Sequence, residues 1–515
     1  MRALAIVATC LGLLAGTATP GRAGVGDFFA RLFGRAEARC ELGDAVVGGQ
    51  VEPGAQAVVV PLKKKAWEAS LGGEAAARPY VRARLAGWPN ARRIDPATLP
   101  RGDRELVQRV ARDTWRGLQA FTDREHHLPI DTVRLDDAHV GDYTNVTSVG
   151  LRLIAIVAAR DLGLVGTSAA VAELRGILDT LGRLETHAGF FFNYYDTTSL
   201  ERTSNFISFV DSSWLTAGLM VVRSAVPALA DACTRLLAPE NYRFFYDDAL
   251  GRMSHGYYVQ LGARSRYHYG VFYAESRLGS LIAIGKGDVP EAHWFSMART
   301  FAPACRWQTQ PPHARTRKRV RGHPVVGGYY EWQDVRFVPS WGGSMFEAIM
   351  PTLVLDESRY APKSLGANDV AHVSVQRRYA EETLGYPVWG ISPCVAPSMP
   401  SYGEYGVKVL GSLGYAAGAV TPHASALALG IAPADAIRNL RRLAERYDIY
   451  GDFGFYDAVE PMSGQVAHTY LALDQSMTFI AAANYLCDDC VRRYFAADPI
   501  AEKALATIGD ERFFE

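Results

Sequence analysis

The 515-residue sequence has no net charge, few cysteines and none of the common cofactor-binding motifs. Its 54 Lys and Arg residues are balanced by 54 Asp and Glu residues, so no basic surface for a nucleic-acid partner is predicted. There is no P-loop, no G-x-G-x-x-G after a strand, no H-E-x-x-H zinc motif and no G-x-S-x-G nucleophile turn. We therefore expect no metal and no organic cofactor.

Long apolar runs are also missing, except at the N-terminus. A positive residue (Arg2), an apolar stretch (Ala3–Leu14) and a small-x-small site (Gly21–Ala23) are typical of a secretory signal peptide. An uncleaved anchor is the alternative, but the apolar stretch is short for a membrane span. We expect residues 1–23 to be a signal peptide. The mature chain would then be periplasmic or secreted, with no stable membrane insertion.

Cysteines number only seven, and signal cleavage would leave six. An even number in an exported chain permits disulfides. Cys487 and Cys490 form a C-x-x-C pair, which suits a short disulfide or half of a zinc site. No second Cys/His pair has zinc-ligand spacing, so we predict a disulfide here.

Alternating β-α patterns are absent, while helical periodicity is strong from residue 103 onward. Apolar residues recur three and four apart on a predicted helix that contains Leu106, Val110 and Leu118. Leu151–Leu164 is apolar nearly all round, as in a helix packed on two sides. Strand-like pieces are few and short. The pattern predicts a mainly helical protein and argues against a doubly wound sheet.

Aromatic residues are plentiful, with 25 Tyr, 22 Phe and 9 Trp, and they recur beside carboxylates at loop or helix ends. These carboxylates are Asp196, Asp211, Glu275, Glu347, Asp457 and Asp474. Any one could be a helix cap or a structural ion pair. As a group they suggest a polar cleft at the helix ends. Glycosidic bond cleavage needs two carboxylates, and flat aromatic rings can hold sugar faces.

Eight blocks, in order over residues 103–496, resemble the bacterial glycoamylase-like proteins, whose relatives include the endo-β-1,2-glucanases of glycoside hydrolase family 144. The most informative blocks are GDYTNVTSVGLRLIAIVAARDLGLV (141–165), GFFFNYYDTTSLERTSNFISFVDSSWLTAGL (189–219), YAESRLGSLIAIGKGDVPEAHWF (273–295), PSWGGSMFEAIMPTL (339–353) and TYLALDQSMTFIAAANYL (469–486). The shorter blocks are YPVWGIS (386–392), VTPHASALAL (420–429) and YGDFGFYDAVEP (450–461).

The resemblance implies an all-α fold, an (α/α)6 toroid with short β insertions. It places an N-terminal extension at residues 24–100, the catalytic domain at 101–498 and a tail at 499–515. It implies an inverting glycoside hydrolase acting on a β-linked glucan or a related exopolysaccharide. We therefore expect a poly- or oligosaccharide substrate, with β-1,2-glucan as the first guess.

The resemblance also implies site residues, which we combine with the recurring carboxylates. The acidic, catalytic set is Asp131, Asp211, Glu275 and Glu347, without an assignment of acid and base. The substrate-binding set is Asp123, Tyr195, Asp196, Trp341, Trp389, Tyr402, His423 and Asp474. Two features depart from many relatives: Pro393-Cys394 stands where they have Ser-Glu, and Ser401–Ala417 is shorter.

Two alternatives remain. A polysaccharide lyase could use Tyr402 or His423 as base and Arg277 to neutralise a uronate. A non-catalytic glycan-binding protein of polysaccharide export would bind a glycan without turnover.

Overall fold

The computed structural model describes residues 66–515, so the predicted signal peptide and residues 24–65 of the predicted extension lie outside the described part. The chain is mainly helical, with 45% of residues in helices, as the sequence predicted. Among residues 66–515, no helix is both long and apolar enough to span a bilayer. Closure of the helices into a toroid stays a prediction.

The α-helices follow one another along the whole described chain. They are α1 Ala66–Ser70, α2 Glu74–Arg84, α3 Asp103–Ala120, α4 Val146–Asp161, α5 Thr167–Leu181, α6 Phe209–Ala225, α7 Ala230–Leu237, α8 Ser276–Lys286, α9 Ala292–Ser296, α10 Met345–Ile349, α11 Glu357–Tyr360, α12 Leu365–Arg378, α13 Pro422–Leu427, α14 Pro433–Arg446, α15 Ala472–Leu486, α16 Cys490–Ala496 and α17 Pro499–Leu505.

The strands are short and form small antiparallel sheets of two or three strands. They are β1 Thr132–Arg134, β2 His139–Val140, β3 Tyr143–Asn145, β4 Thr186–His187, β5 Phe190–Phe191, β6 Tyr194–Asp196, β7 Phe206–Ser208, β8 Tyr246–Asp247, β9 Arg252–Met253, β10 Gly256–Tyr258, β11 Ala263–Arg264, β12 Ala314–Val320, β13 His323–Trp332, β14 Val335–Phe337, β15 Cys394–Ala396, β16 Met399–Gly403, β17 Tyr450–Gly451, β18 Gly454–Phe455, β19 Ala458–Val459, β20 Val466–Ala467 and β21 Thr469–Leu471. Two pairings bring distant segments together: β3 pairs with β6, and β1 pairs with β21.

Helices α4, α6 and α15 form the centre of the core and are buried on nearly every side. Helix α4 packs against α6 and α15. Gly150 and Gly218 allow the close approach of α4 and α6, because a Cβ at Gly150 would lie 2.3 Å from the Trp214 carbonyl oxygen. A Cβ at Gly218 would lie 2.4 Å from the Gly150 carbonyl oxygen. No other residue fits at this crossing without moving backbone.

Both ends of the described chain pack into the same core. Val81 and Leu85 of the predicted extension, and Phe513 of the predicted tail, are buried in the main hydrophobic cluster. Helix α17 packs on α8, where the Gly285 backbone meets Ile500. The domain boundaries near residues 100 and 498 stay predictions. Apolar contacts cross both of these boundaries.

A disulfide joins Cys487 and Cys490, with Cα atoms 5.5 Å apart, so the predicted pair is confirmed. The bridge lies between the end of α15 and the start of α16. Cys305 is also disulfide-bonded, while Cys233 and Cys394 are buried free thiols.

Candidate active site

A cavity of about 420 Å³ lies where several helices begin, and it is lined by two carboxylates and several aromatic rings. The carboxylates are Asp131 and Asp211, and the rings are Tyr143, Tyr194, Trp214, Phe346 and Tyr402. This volume is within the range of small-molecule sites, about 300–1,000 Å³. The combination of acids and rings suits a carbohydrate.

The cavity is built from the N-terminal ends of four helices. Asn145 caps α4, Asp211 is in the first turn of α6, and Phe346 and Leu473 are the second residues of α10 and α15. The unpaired N–H groups at a helix start favour negative charge. Acidic residues at these positions therefore collect around one space, as the recurring carboxylates suggested.

Asp131 is held directly before β1 by backbone bonds on both sides. Its N–H donates to the Tyr143 carbonyl (3.0 Å), and its carbonyl accepts from the Ala472 N–H (2.9 Å). Its carboxylate accepts from the Thr132 hydroxyl at 2.9 Å. Burial raises the pKa of Asp131 to about 6, bonds from Thr132 and Tyr143 oppose this, and the charge of Asp211 adds to it.

Asp211 is held by both its backbone and its side chain. Its N–H donates to the Oγ of the helix-capping Ser208 at 3.2 Å. Its carboxylate accepts from the Thr147 hydroxyl at 2.7 Å. Because Thr147 is on α4 and Asp211 on α6, the closely packed helix pair fixes the position of this carboxylate.

Glu275 comes directly before α8 and is partly buried. Burial raises its pKa, and the negative charge of Glu347 raises it further, with a smaller contribution from Asp211. Raised pKa values keep a carboxyl group protonated near neutral pH, which a general acid requires. Glu275 is outside the set that lines the cavity, and the charge of Asp211 makes only a small contribution to its raised pKa.

Glu347 is buried, and its carboxylate accepts several hydrogen bonds from the loop that precedes it. It accepts from the Gly342 N–H at 2.8 Å and from the Ser340 hydroxyl at 3.0 Å. With Ser344 it forms a reciprocal capping box at the start of α10. Burial raises the pKa of Glu347, and the bond from Gly342 opposes this. The geometry gives Glu347 a structural function, and its catalytic assignment stays a prediction.

The predicted binding residue Tyr195 is fully buried, and its neighbour Tyr194 lines the cavity instead. The Tyr195 hydroxyl donates to the Glu185 carbonyl at 2.6 Å and accepts from the Phe192 N–H at 2.7 Å. Successive side chains on a strand point to opposite faces. On β6 this alternation directs Tyr194 to the cavity and Tyr195 to the core.

Asp123 and Asp196 are buried residues that organise turns. Asp123 accepts from the Arg84 guanidinium at 2.6 Å and from the His126 N–H at 2.7 Å. Asp196 accepts from the backbone N–H groups of Thr198 (2.8 Å) and Ser199 (2.7 Å). Neither is among the residues lining the cavity, so their substrate-binding assignment stays a prediction.

The other three predicted aromatic binding residues differ in where they lie. Tyr402 lines the cavity and is 47% exposed. Trp341 is buried against Trp307, with ring centroids 5.6 Å apart. Trp389 is buried in the main core. Only Tyr402 of the three faces the space where a sugar would bind.

His423 and Asp474 are both buried and lie close together, with His423 Nδ1 3.1 Å from Asp474 Oδ2. Asp457 joins them, so that one donor atom from each residue lies within 4.8 Å of the others. Among residues 66–515, these three form the group of His and Asp side chains that lie close enough together to hold a metal ion. They do not line the cavity.

Several lining residues were not predicted from the sequence. They are Tyr143, Thr147, Tyr194, Trp214 and Phe346. Trp214 follows Asp211 by three residues on α6, a spacing that puts both on one helix face. Strand alternation and helical spacing around the predicted acids could therefore have found some of them.

Residues 326–499 match the family model described as "Putative glucoamylase". This segment runs from β13 to the start of α17 and contains Glu347, Tyr402 and Asp474. The predicted resemblance to glycoamylase-like proteins is thereby confirmed.

Two solved structures share the fold. One is described as a putative glucoamylase from Bacteroides uniformis: 17% identity, 81% of this chain, 100% of that chain and a TM-score of 0.64. The other is an endo-β-1,2-glucanase from Chitinophaga pinensis in complex with sophorotriose and glucose: 15% identity, 80% of this chain, 99% of that chain and a TM-score of 0.61.

A curated relative is the cyclic β-(1,2)-glucan synthase NdvB of Rhizobium meliloti (strain 1021). The two are 24% identical over an alignment of 551 positions, which covers 78% of this chain. The chain spans only 18% of the length of that relative.

Proposed function

We propose that this chain is a glycoside hydrolase that cleaves a β-linked glucan, with β-1,2-glucan as the first substrate to test. The observation that carries the proposal is the aromatic-lined cavity containing Asp131 and Asp211, with Glu275 electrostatically connected to Asp211. The names of the endo-β-1,2-glucanase and the cyclic β-(1,2)-glucan synthase support the choice of linkage.

Glu275 is the proposed general acid. Its raised pKa leaves a proton available for the glycosidic oxygen as the bond breaks. Asp211 is the proposed general base, since the Thr147 hydroxyl and the start of α6 favour a negative charge there. Water activated by Asp211 would attack the anomeric carbon from the opposite face, which inverts its configuration.

Asp131 has a proposed supporting role beside Asp211. Its carboxylate interacts electrostatically with Asp211 and is held by Thr132 and Tyr143. The rings of Tyr194, Trp214 and Tyr402 would stack on sugar faces or border them. Glu347 would act indirectly, by fixing the loop beside α10 and by raising the pKa of Glu275.

The lyase alternative is weakened by the position of Arg277. Its guanidinium is fully buried and forms a bidentate pair with Glu357 at 2.7 and 2.9 Å. It also donates to the carbonyls of Ala274, Glu347 and Ala348. An arginine committed in this way has no donor left for a substrate uronate.

The experiment is incubation of the full mature chain with β-1,2-glucan, followed by reducing-end measurement and mass spectrometry. New reducing ends and shorter chains are expected, and proton NMR of the first product should show the inverted anomer. Glu275→Gln should remove the activity, whereas Glu502→Gln, an exposed change on α17, should not. Unsaturated products would favour a lyase, and cyclic or longer products would favour transglycosylation.

We also propose that the chain is exported and that its helices close into an (α/α)6 toroid around the cavity. The signal-like residues 1–23 support export, and the shared fold of the solved structures supports the helical arrangement. N-terminal sequencing of protein from a periplasmic fraction should begin near Gly24. Retention of Met1 on cytoplasmic protein would contradict export.

A further inference from the structure

Three ionisable side chains meet behind the wall of the cavity. His423 is the second residue of α13, Asp457 directly precedes β19, and Asp474 is in the first turn of α15. Each is 2% exposed. They are far apart along the sequence, which explains why no metal-ligand spacing was visible there.

Their polar atoms converge on one point. His423 Nδ1 lies 3.1 Å from Asp474 Oδ2, and with Asp457 the donor atoms lie within 4.8 Å of one another. Ligands about 2.1 Å from one ion lie roughly 3–4 Å from each other. Side-chain adjustments of under about 1 Å would therefore place all three around a single cation.

Among residues 66–515, these atoms meet one another rather than outside hydrogen-bond partners. His423 Nδ1, Asp457 Oδ1 and both carboxylate oxygens of Asp474 form no bond of hydrogen-bond geometry, and Nδ1 approaches Asp474 Oδ2 to 3.1 Å. Asp457 Oδ2 accepts from the Val395 N–H at 2.6 Å, which orients that carboxylate. Buried polar atoms without partners are costly, so this arrangement favours a bound ligand or a shared proton.

Within the described chain, the two carboxylates of this cluster have no Lys or Arg partner. Two buried carboxylates face one imidazole, and within the described chain no Lys or Arg forms an ion pair with Asp457 or Asp474. Buried carboxylates are normally paired with a cation or bound to a metal. A divalent cation would balance both charges at once.

We propose that His423, Asp457 and Asp474 bind one divalent cation, Zn²⁺ or Mn²⁺. One imidazole nitrogen and two carboxylate oxygens suit these ions. Ca²⁺ and Mg²⁺ prefer all-oxygen sites, and soft ions prefer sulfur. None of its three residues lines the cavity, and the negative charge of Asp131 acts on Asp474 from the cavity side.

The ion would connect three separate segments behind the cavity. Leu471 and Leu473 line the cavity on the same stretch of chain as Asp474, and Leu471 pairs with Thr132 next to Asp131. Fixing Asp474 would therefore hold the start of α15 and support the strand that positions Asp131. We infer a structural function for the ion.

The test uses the untagged full mature chain, stripped with EDTA and dialysed into metal-free buffer. Isothermal titration with Zn²⁺ and with Mn²⁺ should give about one site per chain, and bound ion should raise the melting temperature. Ca²⁺ and Mg²⁺ should bind at least tenfold more weakly. Metal content is measured without any glucan, so the result is independent of the proposed hydrolysis.

His423→Ala and Asp474→Asn should lose the bound ion, whereas the exposed changes His313→Ala and Asp488→Asn should retain it. If the site variants fail to fold, titration of the stripped wild-type chain decides. Wild-type protein that takes up no Zn²⁺ or Mn²⁺, or site variants that bind as wild type does, would overturn the proposal. In that case a proton shared between the two carboxyls explains the cluster.

Discussion

Asp211 and Glu347 occupy the same kind of position, yet their carboxylates have different surroundings. Each is in the first turn of a helix whose cap is a serine. Asp211 accepts one hydroxyl bond and faces the cavity. Glu347 is turned back into its own loop by Gly342, Ser340 and Ser344. At equivalent helix positions, the Asp211 carboxylate therefore faces the cavity, whereas the Glu347 carboxylate stabilises its own loop.

The largest expected effect is loss of activity in Asp211→Asn. Removal of general acid–base help typically lowers the rate by about 10²–10⁴-fold. The melting temperature should stay near wild type, since the amide keeps the bond from Thr147. Reducing-end release beside thermal melting measures both properties. Asp231→Asn, an exposed change in the first turn of α7, is the matched control and should keep full activity.

Unlike Asp211→Asn, Glu347→Gln should lower stability strongly and activity only slightly. The amide cannot satisfy the Gly342 and Ser344 N–H groups as a carboxylate does, which should lower the free energy of unfolding by about 2 kcal/mol. Activity per folded molecule should stay within about tenfold. Urea unfolding and kinetics on the folded fraction separate the two. A stable Glu347→Gln with activity lowered a hundredfold would restore the catalytic assignment made from the sequence.

Asp131→Asn should stabilise the protein at alkaline pH. The folded-state pKa of Asp131 is about 6 against an ordinary value of 3.8, so the folded state favours the neutral form. The resulting destabilisation is absent below about pH 4, grows as pH rises to 6 and is complete above it. Asn removes it, a gain of about 1–2 kcal/mol at pH 8 after allowance for partial exposure.

Urea unfolding of both proteins at pH 8 and pH 4 measures this gain. The two curves should coincide at pH 4. An equal gain at both pH values would show that the effect comes from packing rather than from ionisation.

The smallest expected effects separate Tyr194 from Tyr195. Tyr195→Phe removes the buried bonds to Glu185 and Phe192 and should lower the free energy of unfolding by about 1 kcal/mol, with kinetics unchanged. Tyr194→Phe should leave stability unchanged and raise KM a few-fold, because its hydroxyl is on the cavity side. If the two substitutions had the same effects on stability and KM, the opposite directions of these side chains on β6 would be contradicted.

The helical class, the helix starts and the gathering of acids could be predicted from sequence because each depends on local pattern. The periodicity around Leu106 and Val110 and the first-turn position of Asp211 are properties of a few neighbouring residues. The direction in which a side chain points within its loop depends on more distant contacts and could not be predicted in this way. Glu347 and Tyr195 were chosen for their neighbours in sequence, but contacts with Ser340 and Glu185 decide where they point.

The cluster of His423, Asp457 and Asp474 was invisible for another reason. Its members come from three elements that meet only after α13, β19 and α15 have packed. No spacing rule applies to residues brought together in this way. Two of the three were predicted as separate binding residues, and their shared location emerged from the structure.

The pairing of β1 with β21 has a consequence for how the protein is made. Thr132 is opposite Leu471 in that pair, so the wall beside Asp131 includes residues from near both ends of the described chain. During synthesis the early helices can form long before residue 471 leaves the ribosome, but the cavity cannot. A chain truncated before β21 should therefore keep Asp131 and Asp211 but lack the strand pairing that completes the wall of the cavity.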